Sequence, residues 1–362
     1  MVYIPRSGLE KLCSGIFEAL GIPREEAEDS ARILVAADAR GIQSHGVARI
    51  RRYIDGIKAG LVKGGISPRV LRETPASLVL DAEGAMGLSL SRRSMDRVIT
   101  MAGEHGVGLC SIRNSNHFGI AGFYAEMAAR RDMIGIAMTN TAALGVPTFA
   151  RDAMFGTNPI AFSAPALGGK LFTLDMATTT VTRGKVEVYE REGKKLPPGW
   201  AVGKDGRVTG NPVSLLDDML FKRGGGLLPL GGEGEALGGH KGYGLAVMVD
   251  ILTALCSGGV FGGEVMDSEI TAARVCHFFM AIRLDLFRPP EEFKADMSRM
   301  LEALTSLSPA DGADRVYYAG LKEHEAEARC EKEGVPLTDG VWQTLKTAAE
   351  ELGVSLPEPR SR

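Results

Sequence analysis

The stretch VGLCSIRNSNHFGIAGFYAEMAARR, residues 107–131, predicts a buried strand, a polar turn and a helix in direct succession. Residues 107–112 are a short apolar run typical of buried strands, and residues 121–131 have a helical pattern. His117 lies on the turn between them. Ligands of α/β proteins gather at such strand ends, where glycines let them approach the backbone. His117 is therefore a candidate cofactor contact, although a histidine that only hydrogen-bonds its own turn would fit the same pattern.

Strands and helices alternate in the same way over residues 77–286, which predicts a layered α/β structure. Short runs rich in Val, Ile, Leu and Phe predict strands, among them residues 77–80, 134–138, 160–162 and 279–282. Helical patterns lie between these runs, at residues 89–105, 119–131 and 242–257. The first 60 or so residues and two later segments, residues 291–304 and 337–352, are also predicted to be helical. The chain is long for one small core, so we expect three segments, residues 1–75, 76–288 and 289–362.

A second histidine, His45, lies in SHGVAR, residues 44–49. Ser44 is a favourable N-cap residue, and the apolar residues that follow recur at helical spacing: Val47, Ala48, Ile50, Ile54 and Ile57. The pattern predicts a helix that begins at Ser44. His45 would then lie in the first turn, where unpaired N–H groups and the helix dipole disfavour protonation. A neutral ring can accept a proton, so His45 is a candidate general base.

Two further polar residues follow His45 at intervals of four, Arg49 and Tyr53. At this spacing the three side chains would project along one stripe of the helix. The stripe would offer an acid/base group, a guanidinium that can bind a carboxylate, and a phenol. The alternative is that Ser44 and His45 simply cap a helix whose arginine and tyrosine are solvated, and spacing does not decide between the two interpretations.

Composition and charge argue for a small-molecule partner. The 42 Lys and Arg residues nearly balance the 45 Asp and Glu residues, for a formal net charge of −3. The chain therefore lacks the basic field that holds nucleic acid or an anionic membrane. The longest apolar stretch, residues 243–256, is interrupted by Asp250 and is shorter than the roughly 20 residues that span a bilayer.

The cysteines and the N-terminal residues predict a cytoplasmic protein. The five cysteines are scattered and none forms a Cys-x-x-Cys pair, so neither a disulfide framework nor a zinc site is indicated. Residues 1–6, MVYIPR, lack the apolar core of a signal peptide. We expect reduced thiols and no export.

Two segments could contact a nucleotide, although no Gly-x-Gly-x-x-Gly follows a predicted strand and no Walker-type motif occurs. Residues 223–242 are rich in glycine and include Lys241 near a predicted helix start, so they could clamp an anion or form a plain flexible linker. GTNP, residues 156–159, and LDMATTT, residues 174–180, supply small residues, hydroxyls and one carboxylate. These could hold a ribose and phosphates, but threonine clusters also occur at ordinary strand ends. A standard Rossmann site is not predicted.

Six motifs together resemble the type-2 malate/L-lactate dehydrogenase family. They are SHG (44–46) with Arg49, NHFG (116–119), GTNP (156–159), DMAT (175–178), PPGWAV (197–202) and GHKGYG (239–244). That family includes malate, sulfolactate, ureidoglycolate and diketogulonate dehydrogenases or reductases and some cyclic-imine reductases. The resemblance implies an α/β fold distinct from the Rossmann fold, with a cofactor domain on a large mixed sheet and a helical domain built from both chain termini. It also implies a homodimer in which the helical arm of one subunit helps to close the cofactor cleft of the other.

The resemblance also implies roles for individual residues. His45 would be the acid/base at the substrate carbinol and His117 would lie at the nicotinamide end, although some members use the second histidine as the acid. Arg49 would bind the substrate carboxylate, with Ser44 and Tyr53 beside it. The implied cofactor contacts are His117, Phe118, Gly119, Thr141, Thr157, Asn158, Asp175, Met176, Ala177, Thr178, Thr179, Lys241 and Gly320. After Gly320 the family usually has an acidic residue, whereas this chain has Leu321 and Lys322.

These observations predict an oxidoreductase that transfers a hydride between NAD or NADP and a small 2-hydroxy or 2-keto acid. A cyclic-imine or diketo-sugar-acid reductase on the same scaffold is the alternative within the class, and the choice between NAD and NADP is open. From other classes, a metal-assisted hydrolase using His45, His117, His240 or His277, or a non-catalytic binding protein, would be the competing interpretation. No two histidines share helical ligand spacing with a carboxylate, so no metal is expected.

Overall fold

A computed structural model describes residues 1–266 and 272–360. Its helices are α1 (Arg6–Ala19), α2 (Arg24–Ala39), α3 (Ile50–Lys58), α4 (Gly87–His105), α5 (Ala121–Ala129), α6 (Arg183–Arg191), α7 (Pro212–Leu220), α8 (Gly239–Asp250), α9 (Pro290–Thr305), α10 (Leu321–Glu333) and α11 (Asp339–Leu352). Its strands are β1 (Val2–Ile4), β2 (Arg69–Thr74), β3 (Ser77–Asp81), β4 (Val107–Ser115), β5 (Met133–Thr139), β6 (Ile160–Pro165), β7 (Leu171–Met176), β8 (Ala201–Val202), β9 (Gly226–Leu227), β10 (Val275–Arg283) and β11 (Val335–Leu337).

The central element is a seven-stranded mixed sheet in the order β2-β3-β4-β10-β5-β6-β7. β3 and β4 are parallel, and the other neighbouring strands are antiparallel. β10 lies between β4 and β5, far from both in sequence. The predicted α/β class, a large mixed sheet that is not a parallel Rossmann sheet, is confirmed.

The apolar run of β4 is explained by burial on both faces of the sheet. Cys110 and Ile112 pack in the main core with residues of α4 and α5, whereas Leu109 packs with Phe278 of β10 and Val249 of α8. Because successive side chains of a strand point to opposite faces, a strand covered on both sides reads as a continuous apolar run. The strand, turn and helix predicted from residues 107–131 are present as β4 and α5.

Both ends of the chain meet in one helical layer, as predicted. β1 pairs with β11, with Val2 opposite Leu337. Arg6 of α1 forms an ion pair with Glu327 of α10 at 3.0 Å. The first segment is not helical throughout, because β2 already belongs to the central sheet. The boundaries at residues 75 and 288 stay a prediction.

The prediction of a helix beginning at Ser44 is wrong. Two 3-10 turns, Gln43–His45 and Val47–Arg49, precede α3, and the Ser44 side chain caps neither of them. The prediction also missed α10, because only Cys330 of its thirteen residues is buried and its sequence lacks an apolar stripe.

The glycine-rich segment is not a plain linker either. β9 within it pairs with β8, and α8 starts at Gly239, three residues before the predicted start. A Cβ atom on Gly239 would lie 2.0 Å from the Gly232 carbonyl oxygen, and one on Gly242 would lie 2.3 Å from that of Leu230. These glycines therefore allow two backbone segments to pack directly on each other.

Candidate active site

The two histidines that the sequence singled out lie next to each other. The ring centroids of His45 and His117 are 5.6 Å apart and their planes differ by 25°. His45 ends the first 3-10 turn after α2, and His117 follows β4 on the turn before α5. The fold thus brings together two candidate residues that are 72 positions apart in the chain.

His45 is held in the neutral form by its surroundings. Its ring is partly buried and its Nδ1 atom is hydrogen-bonded to the Ser44 hydroxyl at 2.8 Å. Burial and the positive charge of Arg49 together lower the pKa of His45 to about 4. The neutral ring expected from the sequence is confirmed, but the expected cause, a helix N-terminus, is wrong because α3 begins at Ile50.

His117 is neutral as well, and its ring proton can be assigned. The Gly119 N–H group donates to His117 Nδ1 at 3.4 Å, and the Tyr53 hydroxyl lies 2.6 Å from the same atom. A backbone N–H group can only donate, so Nδ1 is the acceptor and the proton is on Nε2. Burial is the main cause that lowers the pKa of His117 well below its ordinary value.

His45, Arg49 and Tyr53 do not share one polar stripe of a helix, so that expectation is wrong. The Tyr53 side chain is 2% exposed and packs edge-on against Phe17, with 6.1 Å between ring centroids. Burial raises the pKa of its hydroxyl group, which therefore stays protonated and donates a hydrogen bond to His117 Nδ1. The reason for the error is that α3 begins six residues after Ser44, so the spacing of four did not run along a single helix.

Arg49 stands exposed beside the two rings. Its Nε atom donates to the Ser44 carbonyl oxygen at 2.8 Å. Its charge contributes to the lowered pKa of both His45 and His117. Within residues 1–266 and 272–360, no carboxylate forms an ion pair with Arg49. The guanidinium is thus positioned to bind an anion next to two neutral imidazoles.

Phe118, the residue after His117, is held in the core by His277, and the sequence did not predict this contact. The Phe118 ring stacks on His277 of β10 at a centroid distance of 4.7 Å and an angle of 1°. His277 is fully buried, and its two ring nitrogens are each 2.8 Å from a hydroxyl, Nδ1 from Thr139 and Nε2 from Ser115. Phe118, an expected cofactor contact, is itself 2% exposed and packs as a core residue.

A cleft of about 310 Å³ opens where α5 begins and β7 ends, and it includes Asp175 and Gly320 of the predicted cofactor residues. Asp175 Oδ2 accepts the Gly122 N–H group at 2.7 Å. Asp175 is exposed within the cleft, and desolvation by the cleft walls raises the pKa of its carboxyl group to about 6. Gly320 has φ +91°, and a Cβ atom there would lie 3.0 Å from Thr173. The cleft also contains residues that the sequence did not indicate: Arg40, Glu126, Tyr317, Tyr318 and Glu323.

The other predicted cofactor residues form a connected wall. Thr141 Oγ1 accepts the Thr157 N–H group at 3.0 Å, and Asn158 Oδ1 accepts the Thr141 N–H group at 3.3 Å. Thr178 donates its N–H group to the Thr157 carbonyl at 2.8 Å. A Cβ atom on Gly156 would lie 2.1 Å from Thr141 Oγ1, which explains the glycine of GTNP.

The side chains of this wall differ in what they can contact. Asn158 is fully buried and its amide also donates to the Ala246 carbonyl at 3.0 Å, so it supports Thr141 from behind. Thr178 and Thr179 are also buried, whereas Met176 and Ala177 are partly exposed. Lys241 is exposed in the first turn of α8.

The described residues offer no ligand set for the metal-assisted hydrolase considered above. In residues 1–266 and 272–360, no group of three or more His, Cys, Asp or Glu side chains could hold a metal ion. No helix in that part of the chain has the length and apolar character needed to cross a membrane.

A family model described as malate/L-lactate dehydrogenase matches residues 4–346. The malate dehydrogenase of Pyrococcus horikoshii is 42% identical over 353 residues, which cover 98% of this chain and 96% of that protein. Ureidoglycolate dehydrogenase (NAD(+)) of Escherichia coli O157:H7 is 32% identical and covers 94% of each chain. (2R)-3-sulfolactate dehydrogenase (NADP(+)) of Chromohalobacter salexigens is 32% identical and covers 94% of this chain and 96% of its own length.

Solved structures agree with these relatives. The malate dehydrogenase of Pyrococcus horikoshii OT3 superposes with a TM-score of 0.89 at 40% identity, over 98% of this chain and 96% of that chain. The malate dehydrogenase of Entamoeba histolytica superposes with a TM-score of 0.94 at 32% identity, over 98% of this chain and 99% of that chain. The chain therefore belongs to the malate/L-lactate dehydrogenase family, a family of nicotinamide-dependent hydroxy acid oxidoreductases.

Proposed function

We propose that this enzyme transfers a hydride between NAD or NADP and a small 2-hydroxy or 2-keto acid of the malate, lactate or sulfolactate type, with its chemistry at His45, His117 and Arg49. One observation carries the proposal: two neutral imidazoles lie side by side next to a guanidinium that forms no ion pair with a described carboxylate. A dehydrogenase of hydroxy acids needs a proton acceptor and a carboxylate-binding group at one place.

Arg49 binds the carboxylate of the substrate. A guanidinium forms two parallel hydrogen bonds with a carboxylate and so fixes the orientation of the carbon next to it. Neutralisation of Arg49 by a bound carboxylate also removes one of the two causes that lower the pKa of His45. His45 therefore becomes a stronger base when a carboxylate substrate is present.

His45 takes the hydroxyl proton of the substrate during oxidation and returns it during reduction. Its Nδ1 atom is bonded to the Ser44 hydroxyl, which leaves Nε2 for proton transfer. In His117 the Nδ1 atom accepts two hydrogen bonds, so its Nε2 atom carries the proton. A neutral imidazole with a fixed N–H group donates a hydrogen bond, which favours His45 as the acid/base and His117 as the donor at the nicotinamide end.

The residues of the cleft fit the adenosine part of the cofactor. One Asp175 oxygen is used by the Gly122 N–H group, and the other can accept a hydrogen bond from a ribose hydroxyl. Gly122 and Gly320 allow close approach of the backbone. The nicotinamide, when bound, supplies the carbon that takes up or releases the hydride. Further contacts belong to the proposal, with Asn158 as a supporting residue: Phe118, Gly119, Thr141, Thr157, Met176, Ala177, Thr178, Thr179 and Lys241.

The proposal also includes that the enzyme is a homodimer and is located in the cytoplasm. Phe149 and Leu237 are 81% and 71% exposed, and large apolar side chains at this exposure favour burial against a partner. All five cysteines are free thiols, as in a reducing compartment. Light scattering should give about twice the chain mass of 38.5 kDa, and a monomer with full turnover would contradict the dimer.

A screen at 340 nm tests the function directly. NADH and NADPH are each offered with oxaloacetate, pyruvate, sulfopyruvate, an uncharged ketone and a cyclic imine. We expect at least one 2-keto acid to be reduced with a kcat/KM at least about 100-fold above that of the uncharged ketone, because Arg49 binds the carboxylate. Reduction of the cyclic imine but of no 2-keto acid would identify the alternative reductase instead.

A further inference from the structure

A buried carboxylate lies directly behind the His45 turn. Asp38 is in α2 within the apolar run ILVAADA, residues 33–39, and is 2% exposed. Its Oδ2 atom accepts the Val47 N–H group at 2.6 Å. The bond joins α2 to the residue two positions after His45.

The same carboxyl group rests on Gly46. A Cβ atom on Gly46 would lie 2.1 Å from Asp38 Oδ2, 2.2 Å from Cγ and 2.3 Å from Oδ1. Gly46 has φ −91°, which any residue can adopt, so its backbone conformation does not require glycine. The glycine of the SHG motif is required by the contact with Asp38.

The other hydrogen bonds of the turn lie within it, apart from the Ile42 N–H group at its start, which donates to the Ala37 carbonyl of α2 at 2.8 Å. The His45 N–H group donates to the Ile42 carbonyl at 3.1 Å, and the Gly46 N–H group donates to the Gln43 carbonyl at 3.4 Å. The Arg49 N–H group donates to the Gly46 carbonyl at 3.0 Å. These bonds shape the turn, whereas the Asp38 bond sets its position relative to the core.

Stability of the fold does not by itself explain an aspartate at position 38. In the described part of the chain no arginine or lysine pairs with it, and burial raises its pKa to about 7. Burying a carboxyl group without a charged partner costs free energy, and an apolar residue of the same shape is often more stabilising. A costly group at this place is expected where function needs it.

We propose that Asp38 is a positioning residue for catalysis, which holds the His45 ring beside His117 and Arg49 by accepting the Val47 N–H group and packing on Gly46. The proposal rests on the proposed role of His45 as the acid/base. Asp38 does not touch the reacting atoms and acts only through the turn.

Three substitutions at position 38 test the bond. D38N keeps an oxygen acceptor of the same shape, D38L keeps the shape without the acceptor, and D38A removes both. We expect D38L and D38A to lower kcat about 10- to 100-fold, because small displacements of a catalytic group have effects of this size. D38N should stay within about threefold of the parent. The Kd for NADH, measured by fluorescence, should stay within about twofold in all three.

Stability and amide exchange separate positioning from a general structural role. We expect D38L to unfold in one cooperative transition with a Tm within about 5 °C of the parent, while the Val47 amide exchanges at least about tenfold faster. In D38N the amide should stay protected. Loss of kcat in D38N equal to that in D38L, or unchanged kcat in D38L and D38A, would overturn the proposal.

A double variant tests the packing on Gly46. G46A should lose kcat because its methyl group overlaps the Asp38 carboxyl group, and D38A/G46A should recover part of that loss. If the kcat loss of the double variant equals the product of the losses of D38A and G46A, the contact with Asp38 does not constrain Gly46. The proposed function has its own test, because full kcat in His45→Ala would refute it. Exchange of the Val47 amide reports on the Asp38 hydrogen bond independently of the role of His45.

Discussion

In the proposed function, the chemistry depends most directly on His45. His45→Ala removes the proton acceptor, so we expect kcat to fall roughly 10²- to 10⁴-fold while the Kd for NADH changes little. Steady-state kinetics at pH 7 and a fluorescence titration measure the two quantities. His105→Ala, at the partly exposed end of α4, is the matched control and should leave kcat unchanged. Equal turnover in His45→Ala and the parent would remove His45 from the acid/base role.

In the proposed function, Arg49 determines the selectivity for a carboxylate substrate. Arg49→Lys keeps the charge but loses the planar pair of donors, so we expect KM for the preferred 2-keto acid to rise about 10- to 100-fold. Activity on an uncharged ketone should stay the same. Arg51→Lys in the first turn of α3 is the control, since Arg51 pairs with Asp55 and Glu351 on the surface. Equal effects of Arg49→Lys on both substrates would mean that Arg49 does not bind the carboxylate.

Sequence reasoning indicated the residues of the proposed chemistry better than the residues that support them. His45, His117 and Arg49 stood out because histidine and arginine at strand ends and turns have few purely structural uses. Asp38 was not indicated and His277 was named only as a possible metal ligand, because the contacts of both residues join segments that are distant in the chain or apart from the motifs. A single carboxylate inside the apolar run of α2 was the one available signal for Asp38.

At the scale of elements, strands and helices with a clear apolar pattern were predictable and the others were not. β4 and α5 were predicted because burial on both faces leaves a strong pattern. α10 was missed because it is held to the rest by ion pairs such as Arg6 with Glu327 rather than by an apolar stripe. The 3-10 turns at His45 were mistaken for a helix, since their spacing resembles one over a few residues.

The pairing of β10 with β4 and β5 places His277 under the turn that carries His117. His277→Leu loses two hydrogen bonds and the stack on Phe118, so we expect a loss of about 2–4 kcal/mol in unfolding free energy. We also expect kcat to fall about tenfold, because the turn shifts. Urea unfolding and steady-state kinetics measure both, with His105→Leu as the exposed control. A stable and fully active His277→Leu variant would contradict this role.

At the scale of the whole molecule, a buried ionic network joins both chain ends to the sheet domain. Glu126 of α5 is 2% exposed and accepts hydrogen bonds from Arg40 at 2.7 Å and Arg130 at 3.1 Å. Its other oxygen lies 2.9 Å from His324 of α10. Arg40 also binds Glu327, which binds Arg6 of α1. The cleft that contains Asp175 and Gly320 thus borders this network, since Arg40 and Glu126 line both.

Removing the central charge of this network should weaken the whole fold. Hydrogen bonds from His324 and the charges of Arg40 and Arg130 lower the pKa of Glu126 to about 2, below its ordinary value of 4.5. A lowered pKa means that the carboxylate stabilises the fold above pH 4.5 and loses this effect as the pH falls toward 2. Glu126→Gln should therefore lose about 3 kcal/mol of unfolding free energy at pH 7, and the difference from the parent should shrink between pH 4.5 and 2.

Urea unfolding at several pH values measures this loss, with Glu28→Gln as the control. Glu28 pairs with Arg24 on the surface of α2, where removal of an ion pair should change the unfolding free energy by less than about 0.5 kcal/mol. The cleft lies against the network, so Glu126→Gln should also raise the Kd for NADH more than Glu28→Gln does. Because the ion pairs of Glu126 span α2, α5 and α10, a variant with unchanged stability at pH 7 would show that apolar packing alone holds the two chain ends to the sheet.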